Sequence, residues 1–144
     1  MNNERLYFPV LGGTYRALSG PAIVLMRVVC GVALMTHGWG KIQDPSALVG
    51  MVGGIGFQPP ILWAWLLAIT EFFGGLFLAL GLFTRFWAAA ITFLLLVTVY
   101  FHWVLQEQGW GGSEKSILWA TISFYFVVHG AQAFALDRLF KREL

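Results

Sequence analysis

The sequence predicts an all-α integral membrane protein: a four-helix bundle with a short interfacial helix in its first outer loop. Three observations lead there. The 144 residues are 58% hydrophobic and only 11% charged, against about 45–50% and about 25% in an average soluble domain. Four segments each supply the ~20 mostly apolar residues that a helix needs to cross a bilayer. Those segments are apolar all round, without the polar stripe that the helices of a soluble bundle keep toward water.

The spans are expected at Pro21 to Gly40, about Pro60 to Phe83, Phe86 to about Leu105, and Ser116 to Leu136. Only Thr84-Arg85 separates the second from the third, so these two form a tight antiparallel hairpin. Together residues 21–136 make one membrane domain, flanked by segment 1–20 and a cytoplasmic tail, 137–144. In the first segment Leu6, Tyr7, Phe8, Val10, Leu11 and Tyr15, with Arg5 and Arg16, read as a stretch lying on the bilayer surface or as a frayed tail. Glu4 ahead of any basic run, with no apolar core following directly, argues against a signal peptide. The loop from Ile42 to Pro59 holds the uncharged stretch SALVGMVGGIGF, which is expected to fold back on the outer rim as a short helix before Pro59-Pro60 opens the second span. Residues Gln106 to Lys115 read as a glycine-rich outer loop.

Lys and Arg near the span ends set orientation. Arg5, Arg16, Arg85, Arg138, Lys141 and Arg142 lie on the N-terminal side, against Lys41 and Lys115 on the other. This bias predicts both termini in the cytoplasm. A net charge of +2 without a long basic cluster speaks against nucleic acid as a partner. The single cysteine, Cys30, rules out an internal disulfide, a CxxC pair and a thiolate-cluster metal site. The sequence contains no HExxH, P-loop, GxGxxG or nucleophile elbow.

The informative residues are the polar ones inside the spans, because a charge there costs a few kcal/mol and usually faces a bundle interior or a cavity. Arg27 and Glu71 are the only two charges, and His37, His102 and His129 are the only histidines. At 1.5 Å per residue, Arg27 and His129 lie roughly 9–10 Å from the cytoplasmic side, Glu71 roughly 18 Å, and His37 and His102 roughly 24 Å. Arg27, Gly31, Leu34, Gly38 and Lys41 share one helical stripe, with His37 beside it; Ala64, Ala68, Glu71, Gly75 and Leu78 share another. Small residues beside a charge suit a close helix–helix contact.

Two expectations follow. Arg27 and Glu71 form a structural ion pair inside the bundle, a reading favoured over a direct chemical role. His37 and His102, at equal depth, face one another across an outer cavity with Lys41 above and Glu71 below. Such a cavity suits a quinone head group, a small anion or a weakly held metal, a stable metal site being the least favoured. Arg27, His37, Lys41, Glu71 and His102 are therefore the candidate ligand-binding residues, and no catalytic residue stands out. The tryptophans read as interface-belt residues, with Trp39 and Trp103 as alternative walls for a flat aromatic ligand. Cys30 reads as core packing.

The run Arg27-x3-Gly31-x5-His37-Gly38-x2-Lys41 resembles the opening signature of the DoxX family. Glu71-x2-Gly74-Gly75-x5-Gly81-x2-Thr84-Arg85 resembles its second signature, and Leu136-Asp137-Arg138 its closing element. The glycine-rich approach to that aspartate is here His129-Gly130-Ala131-Gln132. The resemblance implies a four-helix membrane protein of bacteria or archaea, related to a small subunit of thiosulfate:quinone oxidoreductase and to proteins linked to quinone or catechol stress. It implies a multi-pass protein of the inner (cytoplasmic) membrane. The expected role is a quinone-associated or accessory subunit of a membrane oxidoreductase system, partnered by the bilayer and by a membrane or periplasmic oxidoreductase. Quinone is the one cofactor implied. The alternative is a non-enzymatic assembly subunit, or a carrier of a small solute or metal.

Overall fold

The computed structural model describes residues 7–139. Arg5 and Leu6 of the expected surface stretch, and Lys141 and Arg142 of the tail, lie outside the described residues. The fold is an all-α bundle. Helix α1 covers Gly12–Gln43, entered through a 3-10 turn at Pro9–Leu11. It runs through Pro21, where the sequence reading opened the span, so Tyr15 and Arg16 are already helical. A proline removes one backbone hydrogen bond, and here the helix continues past that loss.

A 3-10 turn, Pro45–Leu48, and helix α2, Val49–Gly54, fill the first long loop and lie against the next helix. Helix α3, Pro60–Ile69, and helix α4, Gly75–Leu80, are joined by a π turn at Thr70–Gly74 into one rod, Pro60–Leu80. Helix α5, Thr84–Tyr100, likewise ends in a π turn, Phe101–Leu105. Helix α6 covers Gly109–His129. Among the described residues three helical stretches are long and apolar enough to cross a membrane: Pro9–Gln43, Pro60–Leu80 and Thr84–Leu105. The 21 residues of α6 complete the bundle, packed mainly on α5.

The last helix corrects the expected fourth span. It starts at Gly109, inside the expected outer loop, and stops at Gly130, whose φ is +69°, rather than at Leu136. Ser113, expected in the loop, is helical and buried. Residues 131–135 are irregular before a last 3-10 turn, Leu136–Leu139. Three of their carbonyls, those of Ala131, Ala133 and Phe134, are taken by Arg27, as described below.

The bundle is held by close backbone contact between α1 and the rod. A Cβ on Gly75 would lie 2.7 Å from the Gly31 carbonyl oxygen, and one on Gly38 would lie 2.7 Å from the Phe72 nitrogen. Both small-residue stripes read from the sequence face this seam: Arg27, Leu34, Ala64, Ala68, Glu71 and Leu78 are all buried. Cys30, Leu34, Leu78, Ala88, Ile91, Leu95, Ala120 and Phe126 form the core between the helices.

Candidate functional site

The buried charges sort into two clusters at opposite ends of the bundle. At the terminal end, Arg27 is 1% exposed. Its guanidinium donates to the backbone carbonyls of Ala131, Ala133 (3.2 Å) and Phe134 (2.7 Å). Gly81 lies against it in a left-handed conformation (φ +69°); a Cβ there would come within 2.9 Å of the guanidinium carbon and 2.7 Å of Ala135 Cβ. Asp137 completes the cluster. Its carboxylate accepts from the backbone N–H of Phe83 (2.6 Å) and Thr84 (3.0 Å), capping α5, while its own N–H donates to the Gly81 carbonyl (2.8 Å). A carboxylate at a helix N-terminus satisfies orphan donors and complements the helix dipole. Arg27, Gly81, Thr84 and Asp137 thus clasp α1, the α4–α5 link and the chain after α6.

At the loop end, Lys41 Nζ pairs with Glu71 Oε1 at 2.6 Å. The Glu71 side chain is 7% exposed, and its other oxygen, Oε2, is buried with no hydrogen-bond partner. Both residues line a cavity of about 420 Å³ between the rod, α5 and α2, and His102 lines it too. His102 Nδ1 lies 2.9 Å from Gln108 Oε1. An amide oxygen only accepts, so Nδ1 carries the proton and, in the neutral ring, Nε2 is a free acceptor. Glu71 and His102 each sit in a π turn, a local widening that recurs at functional sites. The remaining walls are mostly apolar or aromatic, with Leu66, Trp63, Trp87, Phe93 and Val97 among them.

Three of the five candidate ligand-binding residues therefore meet in one cavity: Lys41, Glu71 and His102. Two do not. The expected Arg27–Glu71 ion pair is absent, since each has other partners. The contacts of Gly31 with Gly75 and of Gly38 with Phe72 set the antiparallel register. That register puts Arg27 beside Gly81, ten residues or about 15 Å along the rod from Glu71. His37 does not line the cavity; its ring packs edge-on against Trp119 of α6, centroids 5.0 Å apart. It precedes Gly38 by one residue, a turn of about 100°, so with Gly38 on the rod His37 looks toward α6. The expected facing pair of histidines is thereby corrected to His102 with the Lys41–Glu71 pair. His129 stacks on Tyr125 at 4.2 Å, with Nδ1 at 3.0 Å from that residue's carbonyl. Trp39 and Trp103 pack on Phe72 and Trp110, outside the cavity; Trp63 and Trp87 are the tryptophans that wall it. Sequence reading missed these two because their spacing matched an interface belt. It also missed both π turns, which leave no mark in composition. Among the described residues no group of three or more His, Cys, Asp or Glu side chains could hold a metal ion.

The profile of the DoxX family matches residues 22–103, more than half of the chain. The protein belongs to the DoxX family. An uncharacterized protein of Haemophilus influenzae is 32% identical to this DoxX chain over 97% of its length and 98% of the relative's. A Bacillus subtilis protein named "Putative oxidoreductase CatD" is 28% identical over 79% of the chain and 83% of the relative. No solved structure matches the chain significantly. Mapped on the fold, most signature-like residues of this DoxX protein fall into three groups. Arg27, Gly81, Thr84 and Asp137 build the clasp, Gly31, Gly38 and Gly75 the helix seam, and Lys41 and Glu71 the cavity.

Proposed function

We propose that this DoxX protein binds a quinone-type ligand in the cavity beside Glu71, as a quinone-associated or accessory subunit of a membrane oxidoreductase system. The observation that carries the reading is a long apolar cavity holding a few polar groups. His102 lies at one end and Phe86 at the other, with the Lys41–Glu71 pair on the wall between them and Trp87 against Gly74, one turn along the rod from Glu71. Phe86 and His102 are sixteen residues apart on α5 and its π turn, about 24 Å of helix. A ring carrying oxygen substituents and a long apolar tail suits an elongated apolar slot with such polar groups on its wall. Ligand sites of this size typically pair apolar walls with a few placed polar groups. Lys41 keeps N–H donors beyond the one given to Glu71, and these suit a ring oxygen. Phe86 and Phe93 line the slot yet are 60% and 54% exposed, so the cavity is reachable from the lipid side. The oxidoreductase name of the Bacillus relative agrees with this reading.

In this reading the protein sits in the inner membrane with both termini cytoplasmic, on the basic-residue bias, and Lys41 and His102 lie toward the outer face. The test is organic extraction of the detergent-purified protein, with the extract's absorbance recorded before and after borohydride. A quinone spectrum that bleaches on reduction is expected. An extract without quinone, together with no binding of added decylubiquinone, refutes the proposal.

A further inference from the structure

We propose that the polar groups on the wall of this cavity select the reduced, hydroxyl-bearing form of its ring ligand, a hydroquinone, over the oxidised quinone. The inference rests on the quinone-type reading above and adds the oxidation state. It follows from the acceptors that have no donor. Among the described residues Lys41 is the one cationic donor on the cavity wall; it gives one N–H to Glu71 Oε1 at 2.6 Å and keeps the others for a ligand oxygen. Beside it stand two acceptors without a donor. Glu71 Oε2 is buried and unpartnered, and with Nδ1 donating to the Gln108 amide oxygen the neutral His102 ring presents Nε2 as an acceptor.

A buried carboxylate oxygen without a hydrogen bond is costly, and native structures seldom keep one without a reason. The terminal torsion of a glutamate is soft, so a small turn brings Oε2 to the cavity wall while the Lys41 contact passes between the two oxygens. A quinone oxygen only accepts. It can answer Lys41, but it meets Glu71 and His102 as one lone pair meets another. A hydroquinone hydroxyl both donates and accepts. It can give its proton to Glu71 Oε2 or His102 Nε2 and still receive one from Lys41. Hydrogen bonds to a charged group are the strong ones, so at least tenfold tighter binding of the hydroquinone is expected. Tenfold preference for the reduced form raises the midpoint potential of the bound two-electron couple by about 30 mV.

The experiment titrates the full-length protein in detergent, anaerobically, with decylubiquinone and separately with its chemically reduced hydroquinone, and reads both affinities by calorimetry. Hydroquinone binding at least tenfold tighter supports the inference. Equal affinities, or tighter quinone binding, overturn the selection while leaving quinone-type binding in place. No binding of either overturns both readings. In Glu71→Gln the amide supplies a donor as well as an acceptor, and the two affinities are expected to fall within about threefold of each other. A preference fully retained in Glu71→Gln overturns the assignment to Glu71. Should that variant fail to fold, the wild-type pair of titrations decides the inference alone.

Discussion

Arg27→Met separates the clasp from the cavity. Methionine keeps most of the buried stem and removes the guanidinium with its bonds to Ala131, Ala133 and Phe134. A hydrogen bond to a charged group contributes about 1.5–3 kcal/mol, so three set a ceiling of roughly 4–9 kcal/mol. The chain after α6 can peel away and return its carbonyls to water, which lowers the observed loss. Asp137, buried at the same clasp, loses a neighbouring positive charge. Removing one partner from a buried charged network costs about 3–5 kcal/mol, and that is the expected loss. At roughly 2–4 °C per kcal/mol for a chain of this size, melting in detergent falls by roughly 10 °C. Arg27→Lys is expected in between, since one ammonium cannot span three carbonyls as a planar fork does. The assay is thermal unfolding followed by intrinsic fluorescence, with limited proteolysis reporting release of residues 130–139. Decylubiquinone affinity, measured well below the melting point, is expected to stay within twofold of wild type. An unchanged melting temperature refutes the clasp. An unchanged melting temperature with lost ligand binding returns Arg27 to the ligand site.

Gly75→Ala places a methyl group 2.7 Å from the Gly31 oxygen and is expected to destabilise the bundle by about 1–3 kcal/mol; Gly40→Ala, with nothing within 4 Å, is the neutral control in the same melting assay. His102→Ala is expected to weaken decylubiquinone binding about tenfold with the fold retained, whereas His37→Ala leaves binding within twofold; the opposite pattern in a titration restores the facing-histidine arrangement. Glu107→Cys, in the turn before α6, is expected to react with an impermeant maleimide from outside intact cells. The native Cys30 is buried and stays silent. Labelling only in broken cells reverses the topology.

Much of this bundle is determined locally and is therefore legible in the sequence. Apolar length makes the helices, and the 3.6-residue period alone puts Arg27, Gly31, Leu34 and Gly38 on one face and Ala64, Ala68, Glu71 and Gly75 on another; both faces are buried in the seam. The short helix in the first loop follows from an uncharged stretch that has to cover itself. The pairing of the charges is a different kind of fact. Opposite signs inside a membrane suggested Arg27 with Glu71, but a pair needs register, and register is set where Gly31 meets Gly75 and Gly38 meets Phe72. That contact slides Arg27 to Gly81 and gives Glu71 to Lys41, which sequence reading had placed in the ligand site above His37 rather than in an ion pair. Depth alone also paired His37 with His102, because rise per residue fixes height and says nothing of rotation about the axis. Rotation is decided by which neighbour each stripe packs on, and packing on the rod turns His37 to Trp119. The end of α6 was the least legible element. Residues 131–136 are apolar enough to continue a helix, and they leave it because Arg27, arriving from more than a hundred residues earlier, needs the carbonyl oxygens that a helix would have kept for itself.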